Sequence, residues 1–146
     1  CPDLPLKVAQ QRWSSYTDTP RSFTGDNLLH TEWSPGNVVI NDTAHLVDWA
    51  WPTRGASWID PACWVVWLVA SGHSPRSAEN WAAQISAWHS APRDALDEFA
   101  QVQAAMWEGI AQDCPESWTE RLAEAARQWT EYRSTETIRN RKGPCS

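Results

Sequence analysis

Four polar side chains of types that can handle a phosphate group lie close together in the first third of the chain. They are His30, Glu32, Asn37 and Asp48. A carboxylate such as that of Glu32 can accept the proton of an attacking hydroxyl group. An amide oxygen beside a second carboxylate, as in Asn37 and Asp48, suits Mg²⁺ with bound water and a ligand phosphate. The spacing of a histidine, a carboxylate two residues later and an asparagine five residues after that is typical of phosphoryl transfer by kinases.

A short β-hairpin is predicted to bring two of these residues together. Two apolar runs, at residues 38–40 and 45–47, flank an Asn-Asp turn at residues 41–43, and this pattern favours a hairpin. A hairpin places the start of its first strand beside the end of its second. We therefore expect Asn37 and Asp48 to be neighbours in space, with the carboxylate of Glu32 facing them.

The length and charge of the chain exclude several classes of protein. The sequence has 146 residues, which is the size of one domain, and a formal net charge of −6, which argues against nucleic-acid binding. The longest apolar run, residues 62–70, is too short to cross a membrane, and no export signal opens the chain. The four cysteines form no C-x-x-C pair, so neither a zinc site nor a redox pair is predicted. We expect a cytoplasmic protein that binds neither nucleic acid nor membranes.

Most of the remaining sequence has helical periodicity, and the predicted fold class is mainly α with a small β-hairpin. A short helix is predicted around residues 6–16, and residues 50–57 are predicted to form a loop. Residues 62–70 are apolar on all sides, which predicts a central buried helix. Later helices are predicted after Ser74, with Trp81, Ile85 and Trp88 on one face; after Pro92; and after Pro115, with Ser117 and Glu120 as a capping box.

A single domain is predicted over residues 1–133, followed by a polar tail over residues 134–146. Asp60 precedes Pro61 at the start of the central helix, which is explained by a helix cap and leaves open a further role in bracing the loop. Cys63 is predicted to be a small buried apolar residue, and whether Cys1 and Cys145 pair is left open.

The chain is rich in tryptophan, with 12 residues. Those at helical spacing, including Trp67 and Trp118, are predicted to pack in the core. The tryptophans that flank the loop and hairpin are the candidates for lining a cleft. They are Trp33, Trp49, Trp51 and Trp58.

Residues 28–72 carry a family resemblance. The segments HTEWSPGNVVI, HLVDWAWP and WIDPACWVVWLVA resemble the C-terminal lobe of the aminoglycoside phosphotransferase and choline kinase-like family, relatives of protein kinases. The catalytic loop of that family reads H-G-D-x-x-x-x-N and is followed by a hairpin and an I-D-W/F/Y metal-binding segment. The later part of the chain resembles the family only in being helical. The resemblance implies the helical C-terminal lobe of the protein-kinase-like fold.

The same resemblance implies an activity and a role for each site residue. Glu32 takes the position of the catalytic base, Asn37 and Asp48 take the metal positions, and His30 and Asp60 take the positions that brace the loop. The implied cofactors are Mg²⁺ and ATP or GTP, and the implied substrate is the hydroxyl group of a small molecule.

Two departures from the family keep an alternative open. The base position holds Glu32 where the family has Asp, and the chain contains neither G-x-G-x-x-G nor a Val-Ala-x-Lys strand. Because the sequence also begins with Cys1 rather than Met, we interpret it as a truncated chain whose N-terminal lobe is missing or separate. The alternative is a degenerate, non-catalytic pseudokinase lobe that binds a ligand or partner, and a plain helical assembly module is the third interpretation.

Overall fold

The structure, a computed structural model, describes residues 6–141. Within that range the chain is mainly helical, as predicted, and it has two small sheets. The helices are α1 (Ala9–Arg12), α2 (Ile59–Ala70), α3 (Pro75–Ala82), α4 (Arg93–Asp113) and α5 (Ser117–Arg141). The strands are β1 (Lys7–Val8), β2 (Asn27–Leu29), β3 (Val38–Ile40), β4 (Ala44–Leu46) and β5 (Thr53–Gly55). No helix among these residues is both long enough and apolar enough to span a membrane.

The predicted hairpin is confirmed. Strands β3 and β4 pair in antiparallel fashion with Val38 opposite Leu46 and Ile40 opposite Ala44. The backbone N–H of Val47 donates to the carbonyl oxygen of Asn37 at 2.9 Å, which continues the ladder by one residue. The register therefore places Asn37 and Asp48 at the same end of the hairpin.

A second sheet corrects the prediction that residues 50–57 are only a loop. Strand β5 lies in the middle of a three-stranded sheet, parallel to β1 and antiparallel to β2. Gly55 allows the close packing, because a Cβ atom there would lie 2.7 Å from Cβ of Ala9 and 2.9 Å from Cδ1 of Leu29. Both partners of β5 are distant in the sequence, so the local pattern of residues 50–57 could not indicate the pairing.

The N-terminal helix is shorter than predicted. Lys7 and Val8 pair with β5 as strand β1, and only residues 9–12 are helical. Ala9 and Trp13 are buried as the periodicity requires, whereas Leu6 and Tyr16 are exposed. Lys7 and Val8, which lie in the predicted helix, therefore belong to the sheet instead.

The central helix α2 is confirmed, and seven of its residues are buried. Against it lies a cluster of four aromatic rings packed edge to face, formed by Trp13, Phe23, Trp58 and Phe99. Trp58 is only 2% exposed, so its predicted place in a cleft lining is wrong. It supplies core packing because it lies between strand β5 and the first turn of α2.

Helix α3 ends earlier than predicted. Helix α3 starts after Ser74, whose hydroxyl accepts from the N–H of Ser77 as predicted, but it ends at Ala82. A 3₁₀ turn over residues 86–90 follows. Trp81 therefore lies exposed while Trp88 is buried, and the two do not share a helical face.

Helix α5 is capped and extended differently from the prediction. The hydroxyl of Thr119 accepts from the N–H of Glu116 at 3.1 Å, so Thr119 replaces the predicted capping box of Ser117 and Glu120. The helix also continues through residues 134–141 of the predicted tail, where the hydroxyl of Thr137 donates to the carboxylate of Asp97 at 2.9 Å. The rest of the tail, including Cys145, lies outside the described residues, as does Cys1.

The prediction for Cys63 is confirmed, since this free thiol lies buried in α2. Burial is the main cause that raises the pKa of Cys63, and the nearby carboxylate of Asp60 adds to it. A neutral, buried thiol packs as a small apolar side chain.

Candidate functional site

The loop over residues 30–37 links β2 to β3, and its first residue is fixed from two sides. His30 is buried, and its ring nitrogen Nε2 donates to the carbonyl oxygen of Val47 at 2.9 Å. The ring also packs edge-on against Trp49, with 4.7 Å between the ring centroids. Nδ1 of His30 has no partner among the described residues. His30 thus ties the start of the loop to the end of the hairpin, next to Asp48.

Asp60 holds the same loop from the first turn of α2. Its Oδ2 accepts from the backbone N–H of His30 at 2.9 Å, and its Oδ1 accepts from the N–H of Thr31 at 2.7 Å. Nε1 of Trp33 lies 3.4 Å from the same Oδ1. The helix begins at Ile59, with no side-chain cap. The interpretation of Asp60 as a helix cap is therefore wrong, and its carboxylate instead braces the loop.

Thr31 is held in a backbone conformation that costs free energy. Its φ of 65° lies in the left-handed region, where a β-branched residue is a genuine outlier. The hydroxyl of Thr31 donates to the carbonyl oxygen of Trp51 at 3.2 Å, and its N–H is held by Asp60. Such strain persists only where the surroundings impose it, and it clusters at functional sites. It sets the direction in which the chain presents the next side chain, Glu32.

We expect glycine to be tolerated better at position 31 than at another threonine with a similar hydroxyl contact. Thr43, in the hairpin turn, is the control, because it bonds His45 through its hydroxyl and does not have positive φ. Thr31→Gly is expected to cost about 1 to 2 kcal/mol less unfolding free energy than Thr43→Gly, since glycine relieves the strain at position 31. Urea denaturation of both variants measures the difference, and equal costs would show that Thr31 is not strained.

Arg12 is a residue of this region that the sequence did not reveal. Its Nη1 donates to the carbonyl oxygen of Trp51 and to Oγ1 of Thr53, both at 3.0 Å. Burial lowers the pKa of Arg12, while the charges of Glu32 and Asp60 act in the opposite direction. Arg12 thus places a positive charge near the loop, and it shares the Trp51 oxygen with Thr31. The contact spans 39 residues, so no local pattern could have indicated it.

Asn37 and Asp48, the two predicted metal ligands, lie at one end of the hairpin. Asn37 is buried, and its side-chain Nδ2 has no partner among the described residues. Asp48 is exposed, has a φ of 56°, and takes part in none of the ion pairs within residues 6–141. The unpartnered Nδ2 of Asn37 is a hydrogen-bond donor, so an acceptor such as a phosphate oxygen would satisfy it, whereas the exposed carboxylate of Asp48 is the group that could hold a cation.

The oxygen ligands at this end of the hairpin fit Mg²⁺ better than a metal ion that must be surrounded by protein ligands. Among residues 6–141, no three His, Cys, Asp or Glu side chains converge as a metal site. Mg²⁺ is commonly held by only one or two carboxylates together with water and phosphate oxygens. One amide oxygen from Asn37 and one carboxylate from Asp48 match that requirement.

Glu32 lines a cleft beside the loop. The residues that form this cleft are not the tryptophans predicted to line one. The cleft has a volume of about 400 Å³, and its aromatic walls are Trp67 of α2 and Trp118 of α5. Both were predicted to be core residues, although Trp118 is 46% exposed. Trp67 is half-buried and packs against the core, as predicted, whereas Trp118 is exposed, which helical spacing cannot indicate.

The four tryptophans predicted to line the cleft lie elsewhere. Trp33 packs against Trp64 behind the loop, and Trp58 lies in the core. Trp49 and Trp51 are about half exposed on the hairpin side of the loop. None of the four lines the cleft of Glu32.

Exposed apolar side chains are concentrated around the hairpin. Ile40 is 76% exposed, and five further large apolar residues between positions 28 and 51 are also exposed. They are Leu28, Val39, Val47, Trp49 and Trp51. Val39 and Ile40 are successive residues of β3 and face opposite sides, so the hairpin exposes apolar side chains on both of its faces. We call this set the hairpin patch.

Comparisons of the whole chain with protein-family models, with curated proteins and with solved structures gave no match in any of the three.

Proposed function

We propose that this chain is the C-terminal lobe of an aminoglycoside-phosphotransferase-like small-molecule kinase. It transfers the γ-phosphate of ATP or GTP to a substrate hydroxyl group when a nucleotide-cradling lobe is supplied. The proposal rests on the sequence resemblance of residues 28–72 and on the geometry of the loop and hairpin.

One backbone observation carries the proposal. Among residues 6–141, the non-glycine residues with positive φ are Thr31 and Asp48. Thr31 immediately precedes the proposed base, and Asp48 is the proposed metal ligand. The resembled motif has glycine at the position of Thr31, and a φ of 65° is a conformation that glycine adopts without strain. The positive φ at Thr31 supports the resemblance, because this conformation is one that favours glycine at that position.

The proposed mechanism assigns a task to each side chain. Glu32 accepts the proton of the substrate hydroxyl as the hydroxyl oxygen forms a bond to the γ-phosphorus. The bond between that phosphorus and the bridging oxygen breaks, and the nucleoside diphosphate leaves with the bridging oxygen. His30 and Asp60 fix the loop that carries Glu32, and fixed placement of reacting groups contributes strongly to rate.

Asn37 and Asp48 are the proposed ligands of Mg²⁺. When held by these two side chains, Mg²⁺ would supply positive charge that offsets the negative charge of the nucleotide phosphates. The carboxylate of Asp48 supports this assignment, because it takes part in none of the ion pairs within residues 6–141.

A second lobe, missing or separate, is the proposed partner, and the hairpin patch supports it. The patch borders the proposed metal ligands, because Val47 and Trp49 flank Asp48 in the chain. In this arrangement the lobe that covers the patch would also cover the phosphates of the nucleotide.

Asp48→Asn is expected to weaken Mg²⁺ binding by about tenfold or more, because it removes the only charge of the proposed ligand pair. Asparagine also tolerates positive φ, so the backbone is preserved. Asp42→Asn, at the opposite end of the same hairpin, is the matched control and should not change binding. Mg²⁺ titration monitored by NMR at the amides of Asn37 and Asp48 measures both effects.

A phosphotransfer assay completes this test. With a nucleotide-cradling lobe supplied, γ-phosphate transfer should fall by about 100-fold in Asp48→Asn and should be unchanged in Asp42→Asn. Transfer that survives Asp48→Asn would contradict the metal assignment. Equal Mg²⁺ affinities of the two variants would favour the non-catalytic pseudokinase alternative, in which Glu32 replaces the aspartate of the family and the lobe binds a ligand or partner.

A further inference from the structure

The cleft beside Glu32 has walls that select for an apolar, ring-sized ligand. Trp67 and Trp118 both pack edge-on against Trp107, at centroid distances of 6.2 and 6.3 Å, so the two wall rings are held in place by a third. Leu122 and Pro35 complete the apolar lining. A volume of about 400 Å³ is at the low end for ligand pockets. Because a cavity of about 150 Å³ already holds a benzene ring, the cleft has room for one ring with its substituents.

Two charged side chains line this cleft, Glu32 and Arg121. They do not pair, since neither takes part in the ion pairs found within residues 6–141. In the proposed function Glu32 is the base, so its carboxylate faces the hydroxyl group of the substrate. Arg121 is then the charged side chain of the cleft that remains for a charged group of the ligand, although Glu120 and Glu124 line the adjoining cleft with it.

We propose that the cleft binds a hydroxyl-bearing organic anion with a single apolar ring, whose carboxylate pairs with Arg121 and whose hydroxyl group faces Glu32. The proposal rests on the proposed function, which assigns Glu32 to the hydroxyl group and leaves Arg121 for the carboxylate. Arg121 and Trp118 are then the residues that determine specificity. A guanidinium is suited to this role because it can donate two parallel hydrogen bonds to one carboxylate.

A preference for cationic ligands is the main alternative. Indole faces attract cations, and the chain as a whole is acidic. A cationic ligand would, however, face Arg121 directly inside a small cleft. Like charges at short range are unfavourable, and a net charge spread over the surface is screened within about 8 Å at physiological salt. The local charge of Arg121 should therefore decide the preference.

Three matched probes test the preference on the full chain without Mg²⁺ or nucleotide. They are 4-(hydroxymethyl)benzoate, its uncharged amide and the corresponding cationic benzylamine. We expect the benzoate to bind about fivefold tighter than the amide, and the benzylamine to bind most weakly. Saturation-transfer NMR with competition titrations gives the relative affinities. No preference among the probes, or tightest binding of the benzylamine, would overturn the proposal.

Two variants separate the contributions of charge and shape. Arg121→Gln should abolish the preference for benzoate over amide while leaving binding of the amide unchanged. Arg127→Gln removes a guanidinium from the same helix that does not line the cleft, and it should keep the preference. Trp118→Leu should weaken all three probes alike. Persistence of the preference in Arg121→Gln would overturn the assignment.

Failure of the proposed kinase function can be distinguished from failure of the ligand proposal. Asp48→Asn lies outside the cleft and should leave all probe affinities unchanged. If the benzoate preference is present but the chain paired with a nucleotide-cradling lobe transfers no phosphate, the anion site stands and the kinase function fails. If phosphate is transferred but the cleft shows no charge preference, the kinase function stands and the substrate class is wrong.

Discussion

Replacing Asp60 with alanine is expected to lower the free energy of unfolding by about 3 to 5 kcal/mol, because it leaves the buried amide groups of His30 and Thr31 without an acceptor. Hydrogen bonds to a charged acceptor are the stronger kind, and each buried donor left unpaired bears its own desolvation cost. The loss would be a large share of the stability of an ordinary domain. Urea denaturation measures it, and amide hydrogen exchange at His30 and Thr31 should accelerate.

Asp94→Ala is the matched control for this prediction. Asp94 also lies in the first turn of a helix, α4, but it is exposed, so its loss should cost about 1 kcal/mol or less. If Asp60→Ala proves too unstable to study, Asp60→Asn keeps one acceptor oxygen and should fall between the two. A loss at Asp60 no greater than at Asp94 would mean that its carboxylate acts only on the helix dipole.

The second large effect is expected at Arg133, which joins three helices. Its Nε donates to Asp97 of α4 and its Nη1 donates to Glu79 of α3, both at 2.6 Å. The Arg133 side chain is 8% exposed. Nε1 of Trp129 donates to the same Glu79 oxygen at 2.7 Å. Arg133→Met should lower the free energy of unfolding by about 3 to 5 kcal/mol, because it leaves two partly buried carboxylates without their cation.

Arg127 provides the control, because it also lies in α5 and also pairs with two carboxylates, those of Glu124 and Glu131. Its side chain is 55% exposed, so Arg127→Met should cost less than about 1 kcal/mol. Combining Arg133→Met with Glu79→Gln and Asp97→Asn should recover part of the lost stability, since no carboxylate is then left unpaired. Equal losses at positions 127 and 133 in urea denaturation would contradict this account.

The parts of the fold that local patterns could predict are those made by neighbouring residues. The hairpin follows from two β-prone runs around an Asn-Asp turn, and α2 follows from its continuous apolar run. The role of Asp60 in the first turn of α2 could not be predicted in this way. Its carboxylate accepts from the N–H groups of His30 and Thr31 in the loop rather than from its own helix. A good capping residue and a tertiary acceptor look identical in a sequence.

The parts of the site that the sequence could not reveal depend on contacts between distant segments. The hairpin register predicted that Asn37 and Asp48 would meet. The position of Arg12 at the loop depends on Trp51 and Thr53, far along the chain. Trp118 reaches the cleft of Glu32 only because α5 packs on α2. Helical spacing predicts that such a tryptophan has a packed side, but not that its other side faces a ligand.

The first dozen residues also matter to anyone who shortens or fuses this polypeptide. Lys7 and Val8 extend the sheet through β5, and Arg12 reaches the Trp51 oxygen that Thr31 also contacts. A deletion past position 12 would remove a sheet partner and a cation from the neighbourhood of the loop in one cut. A vector designed for expression should therefore keep the segment from Lys7 onward, and a tag is better attached before it than in its place.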